Sequence, residues 1–252
     1  MGDSTAAYLV IGASGSIGAA TARRLAASGA RVALAARSSD RLLELASELD
    51  APCFEIDPTE IGEVEEAFGA AAEQLGGLTG AVNCVGSLML KPAHLTSADD
   101  WADTLRINLT SAFAVVRGAA QTMRRSGGSV VLISSAAARH GFANHEAIAA
   151  AKAGVIGLTT SAAATYAPFG LRFNAVAPGL VRTRMTEQIW SKDASRAASE
   201  AMHAVGRLGE PDDIASAIAW LLAPENSWLT GEVLTVDGGL STVRTAARKK
   251  PS

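Results

Sequence analysis

The chain has 252 residues, with 22 Lys and Arg against 25 Asp and Glu for a formal net charge of −3. Hydrophobic residues make up 48% and charged residues 19%, which excludes global disorder, and the missing basic excess argues against nucleic acid as a partner. The length suffices for a full core without disulfides. The two cysteines, Cys53 and Cys84, show no metal spacing and no disulfide framework, so a reduced, cytoplasmic setting is expected.

From the N-terminus, no basic region leads into an apolar stretch, and no secretory signal is expected. Gly2 follows the initial Met, but Ala6 stands where a myristoylation signal has Ser or Thr. No apolar run reaches the roughly 18 residues of a membrane span, so no membrane partner is expected. Short β-branched runs at 8–11, 31–35, 80–83, 129–133, 173–176 and 233–236 predict strands. Segments of helical spacing lie between them, at 18–27, 41–49, 60–75, 98–125, 147–167 and 212–222. Such alternation predicts a parallel sheet covered on both faces, and right-handed crossovers make it doubly wound. No linker or repeat divides the chain. One α/β domain in three layers is predicted over residues 1–240, followed by a basic, disordered tail at 241–252. Residues 180–205 read as irregular.

Gly12-Ala13-Ser14-Gly15-Ser16-Ile17-Gly18 follows the first strand and opens the first helix. In that position glycines bring backbone close to a pyrophosphate, and the helix N-terminus supplies N–H groups to it. A Rossmann-type dinucleotide site is therefore expected, with Gly12, Ser14, Gly15, Ser16, Ile17 and Gly18 as cofactor-binding residues. The end of the second strand selects the dinucleotide. A carboxylate there binds the ribose hydroxyls, whereas Arg accepts a 2′-phosphate. Ala36 holds the place of the acid and Arg37 follows it, which predicts NADP(H) in preference to NAD(H).

From this point the chain resembles the short-chain dehydrogenase/reductase family in its single-domain form, over nearly everything from Leu9 to Leu240. The glycine loop is similar to the family's opening motif, although the family has glycine in place of Ser16. Asp57 resembles the acid that contacts the adenine. Asn83-Cys84-Val85-Gly86 resembles the turn beside the adenosine ribose. Asn108 matches the asparagine that organises a proton-relay water, and Ser135 matches the catalytic serine. Pro178, Gly179, Val181 and Thr183 fall in the segment that holds the nicotinamide and its phosphates. Residues 206–215 and 229–239 resemble two late structural signatures. The resemblance implies a homotetramer or homodimer built on the helices at 147–167 and 98–125, acting on a small-molecule substrate.

The family's chemistry uses a Tyr-x-x-x-Lys pair, in which the lysine orients the ribose and the tyrosine protonates the carbonyl oxygen as hydride arrives. Lys152 is present, but four residues earlier stands Ile148, 13 residues after Ser135 as expected for the tyrosine. The chain has only two tyrosines, Tyr8 and Tyr166, and neither is placed to substitute. His145 lies three residues before Ile148 and seven before Lys152, so on a continuous helix the three share a face. A related reductase branch of the family carries its tyrosine seven before the lysine. His145 is therefore a candidate general acid, beside Ser135, Lys152 and Asn108, and Ile148 is a candidate substrate contact. The expected activity is NADP(H)-dependent hydride transfer to or from a carbonyl, an alcohol or an activated double bond, with a non-standard proton donor. The alternative is a catalytically silent cofactor-binding subunit, in a hetero-oligomer with an active paralogue. Arg182 and Arg184 are candidates to meet an anionic group.

Overall fold

A computed structural model describes residues 5–37 and 40–244. Seven strands form one parallel sheet: β1 (Ala7–Ile11), β2 (Arg31–Ala36), β3 (Cys53–Glu55), β4 (Gly80–Asn83), β5 (Gly128–Ile133), β6 (Leu171–Pro178) and β7 (Val233–Val236). Their order is β3-β2-β1-β4-β5-β6-β7. In register, Leu9 of β1 lies between Ala33 of β2 and Ala81 of β4.

The two-residue period of each strand sorts side chains into two cores. Leu9 and Ile11 join Phe68, Val115, Met123 and Val155 on one face. These come from α3 (Ile61–Gln74), α5 (Ser111–Met123) and α6 (Glu146–Tyr166). Tyr8 and Val10 join Leu25, Leu42, Ile214 and Ile218 on the other face. Those helical residues belong to α1 (Ser16–Ala27), α2 (Asp40–Leu49) and α9 (Pro211–Leu222). The predicted doubly wound α/β architecture is thus observed, with both sheet faces covered. The strand order reverses between β1 and β4, and a crevice opens there beyond the strands' carboxyl ends.

The reading of apolar runs missed β3, which only the family resemblance implied, ahead of Asp57. It has three residues, lies at the sheet edge and has only half-buried or exposed side chains, so it lacks an apolar run. The single helix expected over 98–125 is three segments. The helix α4 (Ala98–Leu105) is opened by a capping box between Ser97 and Asp100. A π-turn (Arg106–Thr110) separates it from α5. Residues 180–205 are not irregular throughout: they hold α7 (Glu187–Trp190) and α8 (Asp193–Met202). Both lie at the surface and fully bury no side chain, which left no apolar face to detect.

By length and composition alone, one helical segment, Glu146–Phe169, is apolar enough to cross a membrane, with a mean hydropathy of 1.4. This corrects the expectation that no run is long enough. Ala, Gly and Thr make the helix uniformly apolar rather than striped, and it buries Ile148, Ala151, Val155, Thr159 and Ala163 within the fold. At the start of the expected disordered tail, the Ser241 N–H donates to Asp237 Oδ2 at 2.9 Å, and Val243 N–H to the Gly239 carbonyl at 3.1 Å. The tail from 245 onward, and the N-terminal Gly2, lie outside the described residues.

Candidate active site

A cavity of about 660 Å³ occupies the crevice. Its walls include Ser14, Gly15, Ser16, Ile17 and Arg37 at one end, and Gly86, Asn108, Ser135, His145, Ile148 and Lys152 at the other. Pro178, Gly179, Val181 and Thr183 complete it. Most of the residues singled out in the sequence therefore share one cavity. Gly12, Gly18, Asp57 and Asn83 do not line it.

Gly12 and Gly18 act from behind the loop. Gly12 has φ +80°, and a Cβ there would stand 2.9 Å from the Cys84 carbonyl carbon. A Cβ on Gly18 would stand 2.2 Å from the Gly12 carbonyl oxygen, so the loop and the first turn of α1 touch backbone to backbone. The side chain of Asn83 is buried, donating to Ser111 Oγ at 3.3 Å and accepting from the Val85 N–H at 3.1 Å; it shapes the β4 turn from inside. Asp57 accepts from the N–H and hydroxyl of Thr59 at 2.9 and 2.8 Å, and these hold its carboxyl below the usual carboxylate range.

At the other end, Lys152 is 6% exposed and its ammonium donates to the Ile133 carbonyl at 2.9 Å. Burial pushes its pKa down to about 8. Ser134 Oγ donates to the Lys152 carbonyl at 2.8 Å, tying α6 to the end of β5. Ser135 Oγ accepts from the Ala137 N–H at 3.1 Å, which leaves the hydroxyl proton free to be donated into the cavity. Asn108 sits in the π-turn, and turns of this kind recur at functional sites. Its Nδ2 donates to Ser87 Oγ at 2.9 Å and to the Thr104 carbonyl at 3.0 Å, while Oδ1 accepts from the Ser87 N–H at 3.1 Å. Both amide protons are engaged, so the side chain braces the Gly86-Ser87 turn. A Cβ on Gly86 would lie 3.2 Å from Asn108 Oδ1 and 3.5 Å from Lys152 Nζ, which places these two groups around one small gap.

His145 is the N-cap of α6, not part of a continuous helix with Ile148 and Lys152 as expected, yet it reaches the same cavity. Its Nδ1 lies 2.7 Å from the Ala143 carbonyl. A carbonyl only accepts, so Nδ1 carries a proton and Nε2 is the nitrogen left for a ligand. Glu146 turns away and accepts from the Ala93 N–H at 3.4 Å. Ile148 is 4% exposed and presents an apolar wall one turn before Lys152. Cys84 also lines the cavity, but burial raises its thiol to about 12, so it is not a nucleophile at neutral pH.

Sequence reasoning missed Arg41, His203 and the bracing Ser87. Arg41 stands four residues after Arg37 at the start of α2, and that spacing was the available signal. Among the described residues neither Arg37 nor Arg41 makes a hydrogen bond or ion pair, and both face the phosphate-loop end of the cavity. The pair Arg182 and Arg184 divides. Arg182 is neutralised by Glu200 at 3.3 Å and Glu210 at 3.6 Å. Arg184 lines the cavity and donates to the Ser14 carbonyl at 2.5 Å, spanning the glycine loop. No group of three or more His, Cys, Asp or Glu suited to a metal occurs among the described residues.

A family model described as enoyl-(acyl carrier protein) reductase matches residues 12–241. The chain is 37% identical to the 3-oxoacyl-(acyl-carrier-protein) reductase FabG of Vibrio cholerae, covering 92% of this chain and 96% of that one. A short-chain type dehydrogenase/reductase from Mycobacterium ulcerans superposes with a TM-score of 0.89 at 31% identity, over 95% of this chain and 90% of that one. An actinorhodin polyketide ketoreductase solved with NADPH gives 0.89 at 28% identity, over 96% of this chain and all of that one.

Proposed function

The chain belongs to the short-chain dehydrogenase/reductase family, and from that premise we propose that it is an NADP(H)-dependent oxidoreductase whose proton donor is not the family's tyrosine. The observation that carries this reading is the single cavity shared by a phosphate-loop end and a Ser135–Lys152 end. The backbone cradle at Gly12 and Gly18 fits a dinucleotide, since a side chain at either position would fill the space the turn requires. When bound, the nicotinamide supplies or accepts a hydride at a carbonyl or alcohol carbon, or at an activated double bond.

The chain's own residues do the rest. The N–H groups of the loop and of the first turn of α1 face the pyrophosphate. Arg37, with Arg41 beside it, meets the 2′-phosphate; two unpaired guanidinium groups at one cavity end favour an anion. Lys152 points its remaining protons at the ribose, and Ser135 donates to the carbonyl oxygen. Ile148 stands where the family has its tyrosine and has no proton to give. His145 then donates from Nε2 when charged, its ring fixed by the Nδ1–H bond to Ala143. The substrate side carries Leu88, Phe142, Met185, Ile189 and Met202, which suits a largely apolar small molecule. Self-association as a homodimer or homotetramer is supported by the outward face of α6, where Ala150, Ala153, Gly157 and Ala164 are exposed, and by Phe113, 43% exposed on α5. The free cysteines agree with a reduced, cytoplasmic setting.

Two results are expected. Arg37→Glu should weaken NADPH binding by about 100-fold, the equivalent of roughly 3 kcal/mol, while changing NADH binding several-fold at most; equal losses for both dinucleotides would remove Arg37 from the 2′-phosphate site. His145→Ala should lower kcat by about tenfold, below the usual weight of a general acid because Ser135 and Lys152 still polarise the carbonyl. It should also change the shape of the pH–rate profile. An unchanged profile would end its assignment as donor.

A further inference from the structure

From Pro178 at the end of β6 the chain passes Gly179 and Leu180 along the cavity, crosses α7 and α8, and returns at His203. No side chain of α7 or α8 is fully buried; Ile189 and Trp190 are half-buried, and Ile189 lines the cavity. Polar attachments hold their ends. Trp190 Nε1 donates to the Thr183 carbonyl at 2.9 Å, and Arg182 pairs with Glu200. The third attachment is His203, which is 4% exposed.

Its Nδ1 lies 2.7 Å from the Ser199 carbonyl, within the last turn of α8, so Nδ1 carries the proton. Its Nε2 accepts from the Leu180 N–H at 3.3 Å. Both nitrogens are occupied, and only the neutral Nδ1–H tautomer satisfies them; a second proton on Nε2 would confront the Leu180 N–H. The ring lies against two glycines. A Cβ on Gly179 would stand 3.0 Å from Nε2, and one on Gly238 3.5 Å from Cδ2. The charged groups nearby have other partners. Glu200 holds Arg182, and Asp237 accepts from Gly239 and Ser241.

We propose that His203 is a positioning residue, a neutral latch that ties the end of α8 to Leu180 and so fixes the Pro178-Gly179-Leu180 wall of the cavity. The latch is a statement about this chain alone; its effect on binding rests on the dinucleotide reading above.

The test compares full-length wild type with H203L and H203Q. Leucine fills space without an acceptor, and glutamine offers a carbonyl oxygen to Leu180. In the cofactor-free protein, amide exchange over residues 180–203 should quicken about tenfold in H203L, as expected for one lost buried hydrogen bond, and return to within about twofold in H203Q. The Kd for NADPH, read by nicotinamide fluorescence, should follow the same order. If H203L exchanges like wild type, or H203Q exchanges as fast as H203L, the latch is overturned. If wild type binds neither NADPH nor NADH while exchange follows the expected order, the dinucleotide reading fails and the latch stands. On wild type alone, ¹⁵N spectra assigned by difference from H203Q should show His203 protonated at Nδ1; a proton on Nε2 instead contradicts the proposal.

Discussion

Gly18→Val should reduce dinucleotide binding by at least about 100-fold and lower thermal stability at the same time. The reason is steric and local. A Cβ at Gly18 would sit 2.2 Å from the Gly12 carbonyl oxygen, and the atom it meets is backbone, which cannot swing aside like a side chain. Gly12 cannot retreat easily. Its N–H donates to the Ala35 carbonyl at 2.7 Å, and its own Cβ position faces the Cys84 backbone at 2.9 Å. The turn must therefore move away from α1, and its N–H groups then no longer converge on one phosphate. Overpacking of this kind costs about 1–3 kcal/mol, which lowers the melting midpoint by roughly 2–12 °C in a chain of this size. Measuring NADPH affinity and melting together checks the claim. A variant that melts lower but binds normally would show that the loop is structural and that the phosphates lie elsewhere.

This loop was also the most legible part of the site in the sequence. Gly12-Ala13-Ser14-Gly15-Ser16-Ile17-Gly18 reads as a phosphate turn because its neighbours are a β-branched run and a helical one. The longer strands were legible because burial on both faces leaves near-continuous apolar runs. What escaped notice lacked such a signature. The strand β3 has three residues on a sheet edge, and α7 and α8 lie on the surface with no side chain fully buried. The π-turn that carries Asn108 is invisible in a pattern that stays helical on either side of it. His203 and Arg41 are single residues whose meaning depends on which distant backbone they meet, and no local spacing encodes that.

Lys152→Met should lower kcat/KM by about 100-fold or more, within the range of a lost proton-handling group, while the protein stays folded. Met fills the channel of the lysine stem, and removal of a buried charge offsets the hydrogen bond lost at the Ile133 carbonyl. The pH dependence gives a second reading of the same group. Burial holds Lys152 at about 8, below its ordinary 10.5. Between those values the unfolded chain keeps a proton that the folded chain has released, so stability rises with pH across that window. Below about 8 both states are charged and the burial penalty is fully present. The rise should be seen in wild type and be missing in K152M. Reductive turnover needs the ammonium, so it should fall as pH rises through about 8. A wild-type profile flat from pH 7 to 9 would remove Lys152 from the reaction.

The central claim is that this site transfers hydride with an isoleucine, Ile148, at the position proposed above for the family's tyrosine. The most direct test is NADPH oxidation by wild type and by Ile148→Tyr, side by side, across a panel of reactive ketones and diketones. The account predicts measurable turnover by wild type on at least the most easily reduced members. A silent wild type beside an active I148Y would contradict it: the site would then be complete except for its proton donor, and the chain would be a cofactor-binding subunit.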